Sequence, residues 1–389
     1  MKKIILKKNE ERRLRNGHLW VFSNEIYKTD EGIQNGDLVM VWNSKDVLIG
    51  TGFYNKNSLI AVRLLSAGKI ENLKAELKIK ILNAWHLRKD LYPERNSYRL
   101  AFSESDYLPG LIIDKYNNTF VLQVYSAGME KNIELIVEIL KEELNAENIF
   151  SKNEEYFRTL EGLPIDDKVY LGVVKSEVIN DGSVSYTINF EKGHKTGFYF
   201  DQSDNRFYIE RLVKEKTVLD AFCNSGGFGL HALKAGAAKV TFLDSSANEI
   251  ESVKENYKLN SFSAETEYTM DDVFNYLEVC ITTGRKFDVV MVDPPAFAKS
   301  RKSVPVAIKG YAKLNRLALQ CLNEGGYLVT SSCSHHISET DFLESVNSGS
   351  IKSGRPVQLI YFNGASQDHP KLPSMEETSY LKFGVFKTT

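Results

Sequence analysis

The sequence predicts an α/β protein. Its C-terminal part, residues 191–389, reads as a doubly wound parallel sheet, preceded by a small β-barrel segment (1–68) and a central α+β segment (69–190). Three observations carry this. After residue 190 apolar runs alternate with helix-period segments, and the runs stop in an acid, a glycine loop, a Pro-Pro loop or small polar residues. Before residue 68 the apolar runs are short and broken by Asn-Ser, Gly and Asn-Lys-Asn. Between these parts, two segments with helical apolar spacing lie among strand-like runs.

Composition sets the bounds. With 389 residues, 42% of them hydrophobic, the chain has enough apolar mass for several cores. The net charge of −2 excludes a bulk polycation, so any contact with nucleic acid rests on local patches. One is residues 1–15, where Lys2, Lys3, Lys7, Lys8, Arg12, Arg13 and Arg15 face only Glu10 and Glu11. The four cysteines (Cys223, Cys280, Cys321, Cys333) include no C-x-x-C, so no metal site is expected and a reducing cytoplasm is. No stretch approaches 18 apolar residues, and the N-terminus lacks the apolar core of a signal peptide, so no membrane span is expected.

Within the first segment, GDLVMVWNSKDVLIGTGFYNKNSLIAVRLLS suits a compact barrel of five or six strands. In the second, Leu73, Leu77, Ile81 and Trp85 mark one amphipathic helix and MEKNIELIVEILKEEL a second. Strands flank Asn117-Asn118, a hairpin turn, and further strands join at Asn180-Asp181-Gly182.

The third segment carries the chemistry. In VLDAFCNSGGFG (218–229) a strand ends in Asp220, and Gly226, Gly227 and Gly229 let the backbone approach a ligand. Asp244 closes the next strand, where a carboxylate can accept from ribose hydroxyls. The loop is neither G-x-G-x-x-G nor G-x-x-x-x-G-K-[ST], which argues against a pyrophosphate ligand. An acid at the loop start suits the cationic end of S-adenosyl-L-methionine. The candidate cofactor residues are Asp220, Phe222, Asn224, Ser225, Gly226, Gly227, Asp244 and Ser245, with Asp271 or Asp272 for the adenine amino group and Asp272 preferred. Asp293 completes the set.

Asp293-Pro294-Pro295-Ala296-Phe297 follows the strand DVVMV. Two prolines stiffen the loop, so that Asp293 can meet an amino-bearing base held by Pro294 and Pro295, with Phe297 stacked on it. TSSCS places Cys333 at the end of the strand GYLV. A thiolate can attack carbon 6 of cytosine and make carbon 5 nucleophilic, so Cys333 and Asp293 are the candidate catalytic pair. Cys280 and Cys321 read as core, and Cys223 as packing within the loop.

Together these motifs resemble the bacterial large-subunit (23S) ribosomal RNA cytosine-5 methyltransferases that carry an N-terminal PUA domain. The similarity runs along nearly the whole chain: NGHLWVFSNEI (16–26), SESDYLPGLIIDKY (103–116), GHKTGFYFDQSDNR (193–206), VLDAFCNSGGFG, VDPPAFAKS, TSSCS, QDHPKLP and SYLKF. The resemblance implies a PUA domain, a central α+β domain and a Rossmann-like class I methyltransferase domain. It also implies Cys333 as nucleophile, ribosomal RNA as partner and a homodimer. By the same resemblance Lys195, Thr196, Gln202 and Arg206 close the cofactor pocket, and Tyr311 and Asn315 line its mouth. Lys299, Arg301 and Lys302 form a second basic patch for RNA. Two other readings stay open: an amino methyltransferase acting on a purine, with Cys333 as packing, and an RNA-binding assembly factor without catalysis.

Overall fold

The computed structural model describes residues 1–191 and 195–389. The chain folds as two compact units: Met1–Ile179 with Ile188–Phe200 and Gln367–Thr378, and Asn180–Thr187 with Asp201–Ser366 and Ser379–Thr389.

The first unit holds two sheets. Six strands run in the order Trp20–Phe22, Ile60–Ser66, Leu48–Tyr54, Leu38–Trp42, Lys2–Leu6, Ile26–Thr29. Alternate residues (Ile4 and Leu6, Val39 and Val41) point into one apolar core, the two-residue period of a half-buried strand. The second sheet runs Val169–Leu171, Asn148–Ser151, Thr119–Val124, Leu111–Tyr116, Ser97–Phe102. The helices Leu73–Leu91 and Ile133–Leu144 bury Leu77, Ile81, Ile136 and Leu140 in the core of that sheet. The second helical segment is broken at Asn132, whose amide donates to the Gly128 carbonyl at 2.8 Å and closes the short helix Ala127–Lys131.

Segments 1–68 and 69–190 were distinct in sequence pattern but are not separate bodies. Phe53 and Leu65 of the first sheet belong to the same apolar cluster as the second. Gly128 packs so closely on the Phe53 ring that a Cβ there would lie 1.9 Å from it. Buried charges bind the remaining pieces. Arg88 clasps Asp106 at 2.5 and 2.7 Å and donates to the Asp368 carbonyl at 2.6 Å. Arg99 clasps Asp114 at 2.8 Å through two nitrogens, and its backbone N–H donates to Asp368. These bonds explain why 367–378, far along the chain, folds with the first unit, and why no clean cut falls at residue 190.

The second unit is built on one seven-stranded sheet. Its strands are β1 Thr217–Ala221, β2 Lys239–Asp244, β3 Glu265–Met270, β4 Phe287–Val292, β5 Leu322–Ser332, β6 Val357–Asn363 and β7 Lys382–Thr388. The order is β3-β2-β1-β4-β5-β7-β6. β1 to β5 are parallel, and β7 runs antiparallel between β5 and β6. The helices are α1 Gly227–Lys234, α2 Ala247–Leu259, α3 Val273–Thr283, α4 Val304–Gln320 and α5 Glu339–Ser353. This is the Rossmann-like, doubly wound arrangement expected from the alternating pattern. Because the central strands are parallel, their carboxyl ends share one edge, and the crossing from β1 to β4 makes that edge a ligand crevice.

Candidate active site

Each strand from β1 to β5 delivers a polar group to the carboxyl edge. Asp220 on β1 is fully buried and accepts the Gly229 N–H at 2.7 Å, which ties the strand to α1. Gly229 must be glycine, since a Cβ would lie 2.2 Å from the Phe242 ring and 2.9 Å from the Asp220 carboxyl. Between strand and helix, Phe222, Asn224 and Gly226 take left-handed backbone (φ 60°, 47° and 88°). Two of these are not glycine, and strain of this kind persists where a loop is shaped for a ligand. Asp244 at the end of β2 accepts the Asn224 N–H at 3.1 Å and the Ser246 N–H at 2.9 Å. Ser245 beside it is exposed. After β3, the Asp271 N–H donates to the Asp244 carbonyl, while Asp272 caps α3 by accepting the Asn275 N–H at 3.0 Å.

β4 and β5 are hydrogen-bonded neighbours with Val292 opposite Thr330. Asp293 therefore emerges beside Ser331, and Cys333 two residues further along the same edge. Ser331 donates to the Asp293 carboxyl at 2.5 Å. The Cys333 Sγ lies 3.8 Å from the Pro294 carbonyl, half-buried. Pro294 is buried and Pro295 exposed.

Electrostatics separate these acids from ordinary carboxylates. Burial pushes the Asp220 carboxyl up to about 8, against a bond from Gly229 and with added repulsion from Asp293. Burial pushes Asp293 up to about 6, offset in part by Ser331 and raised further by Asp201. Arg206 lowers both. Its guanidinium lies against Gly227, where a Cβ would meet Nε at 2.5 Å. Gln202, also buried, lowers the Asp293 carboxyl as well. Acids raised in this way at the carboxyl edge of a parallel sheet are candidates for a functional site.

The structure thus gathers Asp220, Phe222, Asn224, Ser225, Gly226, Gly227, Asp244, Asp293, Gln202 and Arg206 within the second unit. Thr196 is placed differently: it belongs to the first unit, where its hydroxyl donates to Asp114 at 2.5 Å. Gly193 and His194 of the same motif lie outside the described residues. Tyr311 and Asn315 are both fully buried and line no pocket mouth; they stand on the inward face of α4 with Ala307, Leu314 and Ala318. Phe297 packs on Tyr311 at 4.6 Å between ring centres. The N-terminal basic cluster is partly satisfied internally, with Arg13 on Glu25 at 2.7 Å and Lys7 on the Asn24 carbonyl. Lys299, Arg301 and Lys302 are exposed.

Sequence reasoning missed a pair of carboxylates around a buried histidine. His231 of α1 bonds Asp181 and Glu210, both at 2.7 Å, and although burial opposes it these carboxylates raise its pKa. Nothing in the helical pattern GLHALK distinguishes this histidine from an exposed one. It also missed Ser331 and Ser334, although both lie within two residues of Cys333. Among the described residues no three His, Cys, Asp or Glu side chains gather as a metal site, and no helix is long and apolar enough to cross a membrane.

Comparison with known proteins agrees with this layout. Residues 4–67 match the PUA-like domain family, and residues 200–348 match the family described as conserved hypothetical protein 95. The ribosomal RNA large subunit methyltransferase I of Aliivibrio fischeri (strain MJ11) is 36% identical over 385 residues, covering 97% of each chain. The protein of the same name from Vibrio campbellii is 37% identical over 387 residues, again covering 97% of each. Among solved structures, a Streptococcus mutans chain assigned to the SAM-dependent methyltransferases superposes with a TM-score of 0.84 at 21% identity, covering all of both chains. A methyltransferase complexed with SAH superposes at 0.85 and 20% identity, with the same coverage. By its full-length similarity to these curated relatives, the chain belongs to the ribosomal RNA large subunit methyltransferase I family.

Proposed function

We propose that the chain is an S-adenosyl-L-methionine-dependent methyltransferase that forms 5-methylcytidine in large-subunit ribosomal RNA, with Cys333 as nucleophile. The observation that supports this reading is the pairing of β4 with β5: Ser331 donates to Asp293 and the Cys333 thiol lies 3.8 Å from the Pro294 carbonyl, at the same edge of the sheet.

The residues present fit the cofactor. A buried carboxyl without an ion-pair partner among the described residues, Asp220, stands ready for a cationic group beside a strained glycine loop, and Asp244 is oriented by two backbone N–H groups. Asp220 and the loop would hold the amino acid end, Asp244 the ribose hydroxyls, and Asp271 or Asp272 the adenine. When bound, the cofactor supplies an electrophilic methyl group on a sulfonium.

The chain's own residues supply the rest. The Cys333 thiol loses its proton and the thiolate adds to carbon 6 of a flipped cytosine. The ring electrons move toward nitrogen 3, where Asp293 delivers a proton; with its carboxyl near 6, it carries one in a useful fraction of molecules at neutral pH. Carbon 5 is now the nucleophile. Once it is alkylated, a solvent base takes the carbon-5 proton as the carbon–sulfur bond breaks and the thiolate leaves, and nitrogen 3 returns its proton to Asp293. Pro294 and Pro295 keep the loop stiff against the base. Exposed Lys299, Arg301 and Lys302 suit RNA phosphates beside the site.

Trapping tests the reading. RNA containing 5-fluorocytidine has no carbon-5 proton to lose, so wild-type protein forms a covalent adduct at Cys333 and Cys333→Ala forms none. Methylation without an adduct on that RNA refutes the cysteine route.

A further inference from the structure

Ser334 follows the proposed nucleophile and is fully buried. Its Oγ accepts the backbone N–H of Ala298 at 3.1 Å and shares a hydrogen bond with the Tyr311 hydroxyl at 2.9 Å. Its carbonyl accepts from Lys382 Nζ at 2.7 Å, and the same amine donates to the Tyr380 carbonyl at 2.7 Å. Its own N–H reaches Ser332 Oγ at 3.4 Å. Four pieces of the second unit therefore meet at one residue: the end of the Pro-Pro loop, α4, the end of β5 and the start of β7.

The geometry points to Ser334, backed by Tyr311, as a positioning residue that fixes the Cys333 turn against the loop carrying Asp293 and Pro294. This rests on the reading of Cys333 as nucleophile. The loop is held at both ends. At one, Ser331 donates to Asp293; at the other, Ser334 receives Ala298. Between them the Cys333 thiol faces the Pro294 carbonyl. Packing alone does not call for this chemistry. A phenylalanine against an alanine fills similar space without burying two hydroxyls, whereas a satisfied polar pair fixes direction as well as distance. Asn315, one turn beyond Tyr311 on the same face, is fully buried with neither amide atom hydrogen-bonded, so the polar column continues into α4 where an apolar residue would cost less. Ser334 does not touch the reacting atoms; it acts through the turn.

The test uses the full-length protein and two variants, Ser334→Ala and Tyr311→Phe, the second of which keeps the ring and its packing. Two quantities are read. One is the rate of Cys333 alkylation by iodoacetamide without RNA, followed by peptide mass spectrometry. The other is methyl transfer to unmodified large-subunit RNA, resolved into kcat and KM, with the cofactor dissociation constant measured separately. Releasing the turn frees the thiol but spoils its aim, so the two quantities move in opposite directions. Ser334→Ala is expected to alkylate several-fold faster while kcat falls by roughly 10- to 100-fold, the scale of a displacement near 1 Å. KM for RNA and cofactor affinity stay within about twofold. Tyr311→Phe shifts both quantities the same way and less. An unchanged alkylation rate overturns the proposal, as does a joint fall of kcat, cofactor affinity and melting temperature, which marks a merely structural residue. If Cys333→Ala methylates RNA at the wild-type rate, the cysteine reading fails, and the alkylation rates still decide whether Ser334 holds the turn.

Discussion

In the first unit, the buried Asp106 and Asp114 each receive two nitrogens of an arginine, from Arg88 and Arg99, at 2.5–2.8 Å. In the second unit, Asp220 and Asp293 have no ion pair among the described residues, and burial drives their carboxyls up to about 8 and about 6. The same side chain thus does two kinds of work. A paired aspartate is satisfied within the fold and holds pieces of chain together, here including the distant 367–378 segment. An unpaired one keeps an unfilled requirement for a cation or a proton. The difference teaches where to look for chemistry: burial alone does not point to a site, but a carboxyl held up by burial, with no arginine clasping it, at the carboxyl edge of a parallel sheet does.

Substitutions sharpen the contrast. The largest effect is expected at Cys333→Ala, with methyl transfer lost by about 10⁴-fold or more and cofactor affinity unchanged, measured by labelled-methyl incorporation and calorimetry. Next is Asp106→Ala, which strands a fully buried guanidinium and costs about 3–5 kcal/mol in urea unfolding, with cofactor affinity of the folded protein unaltered. If that affinity falls too, the division between the two kinds of aspartate breaks.

Asp293→Asn should lower kcat by roughly 10²-fold and change the pH profile. The proposed route needs Asp293 protonated and Cys333 ionised. As pH rises through about 6, loss of the Asp293 proton cancels the growing thiolate fraction, so the wild-type rate levels off. The amide keeps its N–H at every pH, so the variant's rate continues to climb. Asp220→Asn has the smallest expected effect, weakening cofactor binding by about 30-fold, near 2 kcal/mol. Its stability moves the other way. The folded value near 8 exceeds the ordinary 3.8, so the folded chain holds a proton that the unfolded chain releases. This acid's contribution is complete below about pH 4 and is lost as pH rises through about 8. Without cofactor, wild-type melting should fall between pH 5 and 8, and the asparagine variant should lose most of that fall.

The acids of the site were legible because a parallel sheet makes a local signal spatial: an apolar run followed by a polar residue names a strand end, and strand ends share an edge. Asp220, Asp244, Asp293 and Cys333 were placed at or near strand ends this way. The inward face of α4 was legible too, since residues 307, 311, 314, 315 and 318 have helical spacing; placing Tyr311 and Asn315 at a pocket mouth overlooked it. Thr196 was different. Its partner, Asp114, lies 82 residues away, and no local pattern gives such a pairing. The return of 367–378 to the first unit depends on equally distant bonds to Arg88 and Arg99. For the same reason the PUA-like segment could be recognised while its shared core with the central segment could not.

The central claim is the reaction at Cys333. Its most direct test is nucleoside mass spectrometry of unmodified large-subunit RNA after incubation with the protein and labelled S-adenosyl-L-methionine. The account predicts label in 5-methylcytidine, absent with Cys333→Ala. Label in a methylated purine, at equal rates for both proteins, would contradict it and reduce Cys333 to a packing residue.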